Sequence, residues 1–399
     1  MPRTAHESSA PDRLVEAAVE IARERGLAAI TARSLAERTG QSPSALNYHL
    51  GGRDALVERV QQRALEASAA WRAERLAELA RDGAPAWASA TGALGALIDD
   101  RAGRFHDWGL LLAEFEALAE TYPRLEEGAR GEIVAMTEFW RAAALSLGES
   151  AEDAEVWTDL ATGLSQLFRG DEAATTRLPW ILDAVARTHA RLRGSAVVLA
   201  ADRRAGAAEL LAADAPASEG ARRILDAAIR VMGEKDADRL TQREVAAAAG
   251  LSLAAVTYFF PSKAQLIAAA FHELHRQISA EVLAMGTPVG ARLAQAALSQ
   301  DGDSGWRMRA MEALQLAAAR NPSHAPLVLA LRATRGATSI TWLRSQGLEV
   351  DRLDAFIFST ATGGVVQRTR LGAAGDRREA LSVGETRLLS RLFGLSGAA

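Results

Sequence analysis

Cysteine is absent from this chain of 399 residues, which excludes disulfides, thiolate metal sites and cysteine nucleophiles. Lysine is almost absent. Lys235 and Lys263 stand alone, so positive charge is carried by arginine. Aromatic residues make up only 5%. No apolar run approaches the roughly 18–20 residues that span a bilayer, and Met1–Pro11 has no apolar core of a signal peptide, so a cytoplasmic protein without a membrane partner is expected. An excess of positive charge is also missing: Lys+Arg is 46 against Asp+Glu 50. Any contact with nucleic acid must therefore come from a local patch. Motifs of catalysis are missing too. There is no Gly-x-Ser-x-Gly and no Gly-rich phosphate loop ending in Lys. His272-Glu273-Leu274-His275 is one residue shorter than the zinc-binding His-Glu-x-x-His and reads as a solvated helix face. No enzyme, metal or cofactor is expected.

What is present is a globular composition, 49% hydrophobic and 24% charged. Alanine is abundant, which favours helix, and the length suggests two or three domains. The chain repeats itself. Arg13–Leu56 lies on Arg223–Leu266 at a constant offset of 210 without a gap, with 12 of 44 positions identical. The matches include Thr31/Thr241, Arg33/Arg243, Gly40/Gly250, Ser42/Ser252 and Tyr48/Tyr258. Alanines can coincide by composition, but Thr, Gly, Ser and Tyr in register indicate duplication.

Each copy reads as short helices. Leu14, Ala17, Ala18, Ile21 and Ala22 form one apolar stripe at helical spacing, and Ile224, Ala227, Ala228, Val231 and Met232 form another. Thr241-Gln242-Arg243-Glu244 is a capping box. Thr31 opens the equivalent helix with Ser34 in place of Glu, so that box is expected to be incomplete. Gly40 and Gly250 suit the left-handed residue that ends a helix. Ser42 and Ser252 then cap a third helix of about seven residues, ending near His49 and Phe259, with a fourth starting around Arg53 and Lys263. A helix, a Gly turn and a short capped helix make a helix-turn-helix.

The run Thr31-x-Arg33 through Gly40, Ser42, Tyr48-His49-Leu50, Arg53 and Leu56 resembles the DNA-binding signature of the TetR family of repressors. Thr241-x-Arg243 through Gly250-Leu251-Ser252, Tyr258-Phe259-Phe260, Lys263 and Leu266 resembles it more closely. Copy one departs at Leu50, at Gly51-Gly52 and at Arg53, where Lys is usual. The resemblance implies an all-α fold of two TetR-like repeats, each a helix-turn-helix DNA-binding head followed by a helical ligand-binding and dimerisation domain. The expected domains are a first head over 10–62, its helical domain over 63–200, a linker over 201–218, a second head over 219–272 and its helical domain over 273–399. Ala119 to Pro123 and Ala318 to Pro322 read as matching helix breaks, Ala161-Thr162-Gly163 recurs as Ala361-Thr362-Gly363, and Arg177 and Arg377 open the last helices.

The expected partner is a double-stranded DNA operator. Ser42, Ser44, Asn47, Tyr48 and His49 give the first reading helix short polar reach; Ser252, Thr257 and Tyr258 do so in the second. By resemblance Tyr48, Tyr258, Lys263 and Arg53 hold phosphates, with Arg33 and Arg243 as further candidates. The plain alternative for each Tyr is a half-buried ring closing the head's small core. Residues 1–62 hold as many acidic as basic side chains, so the first head has no positive excess and its affinity should be modest and salt-dependent. Family members are homodimers. Two heads in one chain suggest an intramolecular pseudo-dimer, joined through the last helices of each repeat, whose unlike heads read unlike half-sites roughly 34–36 Å apart. A homodimer of the whole chain is the rival arrangement. A small apolar or aromatic effector is a further expected partner, with Phe105, His106, Trp108, Phe139, Trp140 and Trp157 as candidate lining residues and ordinary helical core as the alternative. Two other readings stay open: only one head binds DNA, or the fold serves as a protein-interaction or ligand-sensing module without DNA.

Overall fold

The apolar stripes become helices in the computed structural model of the chain. It describes residues 10–40, 52–82, 90–170, 173–199, 218–234, 240–284, 303–321 and 325–395. Every regular element among them is helical. The first repeat holds α1 (Ala10–Arg25), a 3-10 turn (Leu27–Ala29), α2 (Ala32–Thr39), α3 (Arg53–Asp82), α4 (Ala90–Ala102), α5 (His106–Ala119), α6 (Pro123–Ser146), α7 (Ala151–Leu167) and α8 (Ala174–Leu192). The second holds α9 (Glu219–Glu234), α10 (Gln242–Ala249), α11 (Leu253–Phe259), α12 (Lys263–Ala284), α13 (Asp303–Arg320), α14 (Ala325–Thr334), α15 (Ala337–Ser345), α16 (Arg352–Thr369) and α17 (Ala374–Phe393). The last helices α8 and α17 thus begin before Arg177 and Arg377. No described helix is long and apolar enough to cross a membrane. Packing divides the chain into two compact units, residues 1–83 with 104–139, and residues 84–103 with 140–399.

In the first unit, α1 buries Leu14, Ala17, Ala18, Ile21 and Ala22, the predicted stripe. Arg23 pairs with Asp107 at 3.1 Å, and Glu114 accepts a hydrogen bond from Leu27 N at 2.7 Å, so α1 is fastened to α5. The long α3 is tied to α6 by Gln61, whose Nε2 donates to Leu125 O at 2.9 Å, and by Arg72, which meets the buried Glu132 at 2.7 Å.

In the second unit, the dominant packing is α7 against α16. The sequence explains why they come so close. Gly163 on α7 faces Thr360 on α16 so tightly that a Cβ would lie 2.0 Å from Thr360 O; Gly364 on α16 faces Asp159, where a Cβ would lie 1.8 Å from Asp159 O. Only glycine permits backbones to meet in this way. The contact is reciprocal, since Gly163 with Gly364 and Asp159 with Thr360 are both 201 residues apart. The register implied by Ala161-Thr162-Gly163 and Ala361-Thr362-Gly363 is therefore one residue off, and Gly363 faces Arg335 instead.

The helix starts show the same reciprocity. Ser150 caps α7, accepting from Asp153 N, and Asp351 caps α16, accepting from Asp354 N. Asp153 then meets Arg391 of α17 at 2.6 Å, while Asp354 meets Arg191 of α8 at 2.6 Å. Arg187 adds contacts to Asp351 and Asp354, each at 3.1 Å. Asp159, fully buried, lies between Arg368 at 2.9 Å and Arg387 at 3.2 Å. The two repeats thus join through α7, α8, α16 and α17. One asymmetry stands out. The helix α6 runs unbroken for 24 residues, whereas the same part of the second repeat is split into α14 and α15 at Arg335-Gly336.

Two outcomes follow from this seam. Gly364→Ala should cost about 1–3 kcal/mol, the ordinary cost of overpacking, read as a lower denaturation midpoint; unchanged stability would refute the close contact. Burial pushes the Asp159 carboxyl up to about 6, against the pull of Arg368 and Arg387. A value above that of the unfolded chain means that stability from this group declines as pH rises from about 4 to about 6. Asp159→Asn should remove that slope in melts recorded across the window, and a variant curve parallel to the wild type would show that Asp159 titrates normally.

Candidate DNA-binding heads

The second head is built on α9, whose Ile224, Ala227, Ala228, Val231 and Met232 are all buried. Its second helix, α10, starts on the predicted box: Thr241 Oγ1 accepts from Glu244 N, and Glu244 accepts from Thr241 N, both at 3.2 Å. It ends at Gly250 in the left-handed region, φ 64°. Arg223 Nη2 donates to Ala249 O at 2.7 Å, closing the end of α10 onto α9. Ser252 caps α11 by accepting from Ala255 N at 3.1 Å.

The reading helix α11 holds to the core through Val256, which is fully buried. Its other end is fixed by Gln242, whose Nε2 donates to Phe260 O at 2.6 Å. With Val256 as inward anchor and Gln242 as tether, α11 presents Leu253, Ala254, Tyr258 and Phe259 to solvent. Tyr258 is 81% exposed, and Leu253 and Phe259 are partly exposed. The half-buried alternative for Tyr258 thus fails; its ring meets Phe259 edge-on, at 5.2 Å. Ser252, Arg243 and Lys263 are also exposed. The Thr257 hydroxyl turns back on its own helix, donating to Leu253 O at 3.0 Å. Ser262 and Gln265 cap each other's backbone at the start of α12.

The outward face of α11 is largely apolar. Leu253, Ala254, Tyr258 and Phe259 suit contact with thymine methyls better than bidentate hydrogen bonding to base edges.

The first head repeats the frame as far as it is described. Thr31 Oγ1 accepts from Ser34 N, and Ser34 Oγ accepts from Thr31 N, both at 3.0 Å. The box expected to be incomplete is complete, because a hydroxyl close to the backbone can replace the longer carboxylate. Ser34 Oγ also donates to Ala29 O at 2.7 Å, which binds the box to the preceding turn. Gly40 is left-handed, φ 68°. Ser42, Ser44, Asn47, Tyr48 and His49 lie outside the described residues. Arg53 opens α3 as expected, and its guanidinium leans on Ile30 O at 3.4 Å and Leu27 O at 3.5 Å, long contacts of low strength.

The heads differ in how their arginines are occupied. Arg33 is bound by Glu37 one turn on, at 2.8 Å; at Arg243 the corresponding position is Ala247. Arg38 is held by Glu24 at 2.5 Å and Glu20 at 3.0 Å. Head one thus pairs Arg33 and Arg38 with its own carboxylates. Arg33 and Glu37 at i,i+4 were visible in the sequence as a helical ion pair. Gln242 was not legible, because its acceptor lies 18 residues away.

The candidate effector residues fall into separate settings. Phe105 and Phe139 are buried around Trp71, with ring centroids at 5.7 and 4.9 Å. Trp108 lies under the Arg23 guanidinium at 4.7 Å, and His106 Nε2 lies 2.9 Å from Asp107 Oδ1. These belong to the first unit. Trp140 and Trp157 are buried in the second, and Trp157 Nε1 is enclosed without a hydrogen-bond partner. In the second repeat, head and helical domain share one core: Ala310, Met311, Leu314 and Ala317 of α13 pack with Ile224, Ala228 and Val231 of α9. The His272-Glu273-Leu274-His275 run lies on α12 but is not the solvated face expected: Glu273 and Leu274 are buried, and Glu273 is bonded to Arg276 and Gln277. Among the described residues no cluster of three or more potential metal ligands is found.

The family model for bacterial regulatory proteins, tetR family, matches the chain twice, over residues 14–60 and 224–270. No curated protein matches the chain.

The tether on α11 is testable. Gln242→Leu leaves Phe260 O without its partner, which should cost about 1 kcal/mol and speed amide exchange in residues 253–259; exchange unchanged there would show that Gln242 does not hold the reading helix.

Proposed function

We propose that this chain, which carries two DNA-binding domains of the tetR family in tandem, regulates transcription by binding a double-stranded DNA operator through both heads of an intramolecular pseudo-dimer. The observation that carries this reading is the reciprocal seam of α7, α8, α16 and α17, in which each repeat offers the other the same glycine contact and the same first-turn carboxylate. Such self-complementary exchange is the hallmark of a two-fold interface. Here one polypeptide supplies both sides. The two sides are free to diverge, so the operator has unlike half-sites.

In this reading the domains run as 10–62, 63–200, 219–272 and 273–399 with a linker over 201–218. Tyr258 and Lys263, with Arg243, grip phosphates beside the second reading helix, and Ser252, Leu253 and Thr257 meet base edges. Tyr48 and Arg53, with Arg33, are their counterparts in the first head, and Ser42, Ser44, Asn47 and His49 face the bases. The protein acts in a bacterial cytoplasm as a repressor, released when an effector stabilises a head arrangement that no longer fits DNA. Continuity of the α9 and α13 core supports this coupling, because a shift of α13 carries the head with it. Trp157, enclosed with an indole N–H that has no partner among the described residues, supports its own role in effector binding.

A second reading is favoured by one observation: Glu37 occupies Arg33, while Ala247 leaves Arg243 to solvent. Head two then supplies most of the DNA affinity, and head one serves as scaffold or sensor.

Selection of bound sequences from a random DNA pool by the full chain tests both readings. Two unlike half-sites about one turn apart support the pseudo-dimer. A true palindrome supports one reading head in a dimer of chains, and no enrichment at low salt overturns DNA binding. On the selected site, Lys263→Gln should weaken binding for all sequences and lower the salt slope by about 1. Glu37→Ala should strengthen binding if head one contacts phosphate, whereas an unchanged affinity assigns the binding to head two.

A further inference from the structure

Arg335 is a partly buried cation with no carboxylate set against it among the described residues. It stands at the break between α14 and α15. Its Nη2 donates to Ser359 O on α16 at 2.8 Å. Its Nε is shut off from solvent and unpaired. Gly363, one turn beyond Ser359, makes the room it occupies, since a Cβ there would lie 2.5 Å from Nη2. Burial draws the guanidinium down to about 10, with no neighbouring charge to oppose it. Two other arginines of this unit are matched by carboxylates: Arg177 meets Asp99 at 2.7 Å, and Arg187 meets Asp351 and Asp354. Buried charge is ordinarily paired or shed.

The break itself adds donors. The unbroken α6 shows that this stretch of the fold does not require an interruption. At the interruption Gly336 takes φ 80°, and its backbone is pressed onto α16, where a Cβ would lie 2.4 Å from Ala355 O. The first turn of α15 has no side-chain cap. Ser339 in that turn is 1% exposed, yet its hydroxyl has no partner. Guanidinium, uncapped helix start and buried hydroxyl all favour negative charge. The packing around them is apolar: Trp342 stacks on Phe358 at 6.1 Å, and Leu343 is fully buried.

We propose that Arg335 and the start of α15 form a binding site in the second repeat for a small ligand with an oxyanion head on an apolar body. Carboxylates and phosphate monoesters both present that chemistry. The proposed ligand is charged, unlike the apolar or aromatic effector expected from the sequence.

The test uses the full chain without DNA, so its outcome is independent of the DNA-binding reading. Thermal melts are recorded with octanoate, octyl phosphate, octanol and octylammonium at equal concentration. Octanoate or octyl phosphate should raise Tm, the stronger identifying the head group, while octanol and octylammonium should not. Arg335→Met should abolish the anion shift and raise the ligand-free Tm, because it removes an unmatched charge. Gly363→Ala crowds Nη2 but keeps the charge, and should weaken anion affinity about tenfold by titration calorimetry. An equal shift from octanol, an anion shift that survives Arg335→Met, or no shift with either anion overturns the proposal. If Arg335→Met does not fold, the comparison of anions with octanol and the Gly363→Ala titration still decide it.

Discussion

Two missing side chains set the geometry on which the second unit depends. At Gly163 and Gly364 the backbones of α7 and α16 touch, and the closeness fixes what surrounds them. Once the helices are in contact, the aspartates of their first turns are delivered to the arginines of α8 and α17. Asp159 becomes fully buried beside Glu155, where it is tolerable only because Arg368 and Arg387 close over both carboxylates. The ion pairs therefore do not draw the helices together; hydrophobic burial and glycine contact do that, and the charges fix register and orientation. This division of roles accords with the small net yield of buried ion pairs and the large cost of breaking one.

The heads follow a different logic. Each is a small core carried by one amphipathic helix, with local devices at every helix end. Caps at Thr31, Thr241 and Ser252 and left-handed glycines at 40 and 250 are short-range features, and the sequence displayed nearly all of them. The one misjudged cap, Ser34, shows the limit of pattern matching: a Glu is the common partner, but the geometry needs only an oxygen within reach of Thr31 N. Burial of the apolar stripes on α1 and α9 was equally legible because helical period alone decides it.

What the sequence hid was long-range. The repeat register in the helical domains was off by one at Gly163, because a single Ala-Thr-Gly match outweighed a backbone contact that no sequence displays. Phe139 and Trp140 are neighbours in the chain, yet they belong to different compact units. Arg335 looked like any other arginine among many. Its hydrogen bond to Ser359 O, 24 residues on, arises at a helix break that has no local pattern. Tyr258 lay between: its motif position suggested function, and its exposure removed the core-packing alternative.

The seam gives a duplicated chain a reciprocal contact between its repeats, and the two heads present unlike surfaces. Head one neutralises Arg33 and Arg38 on its own surface, while head two presents Arg243 and an apolar reading face. The most direct test of the pseudo-dimer is the number of chains on the DNA, measured as the mass of the complex with its selected duplex by light scattering. One chain per duplex carrying both half-sites is the predicted result. Two chains on a duplex of that length would contradict it and would make the unit a dimer of chains.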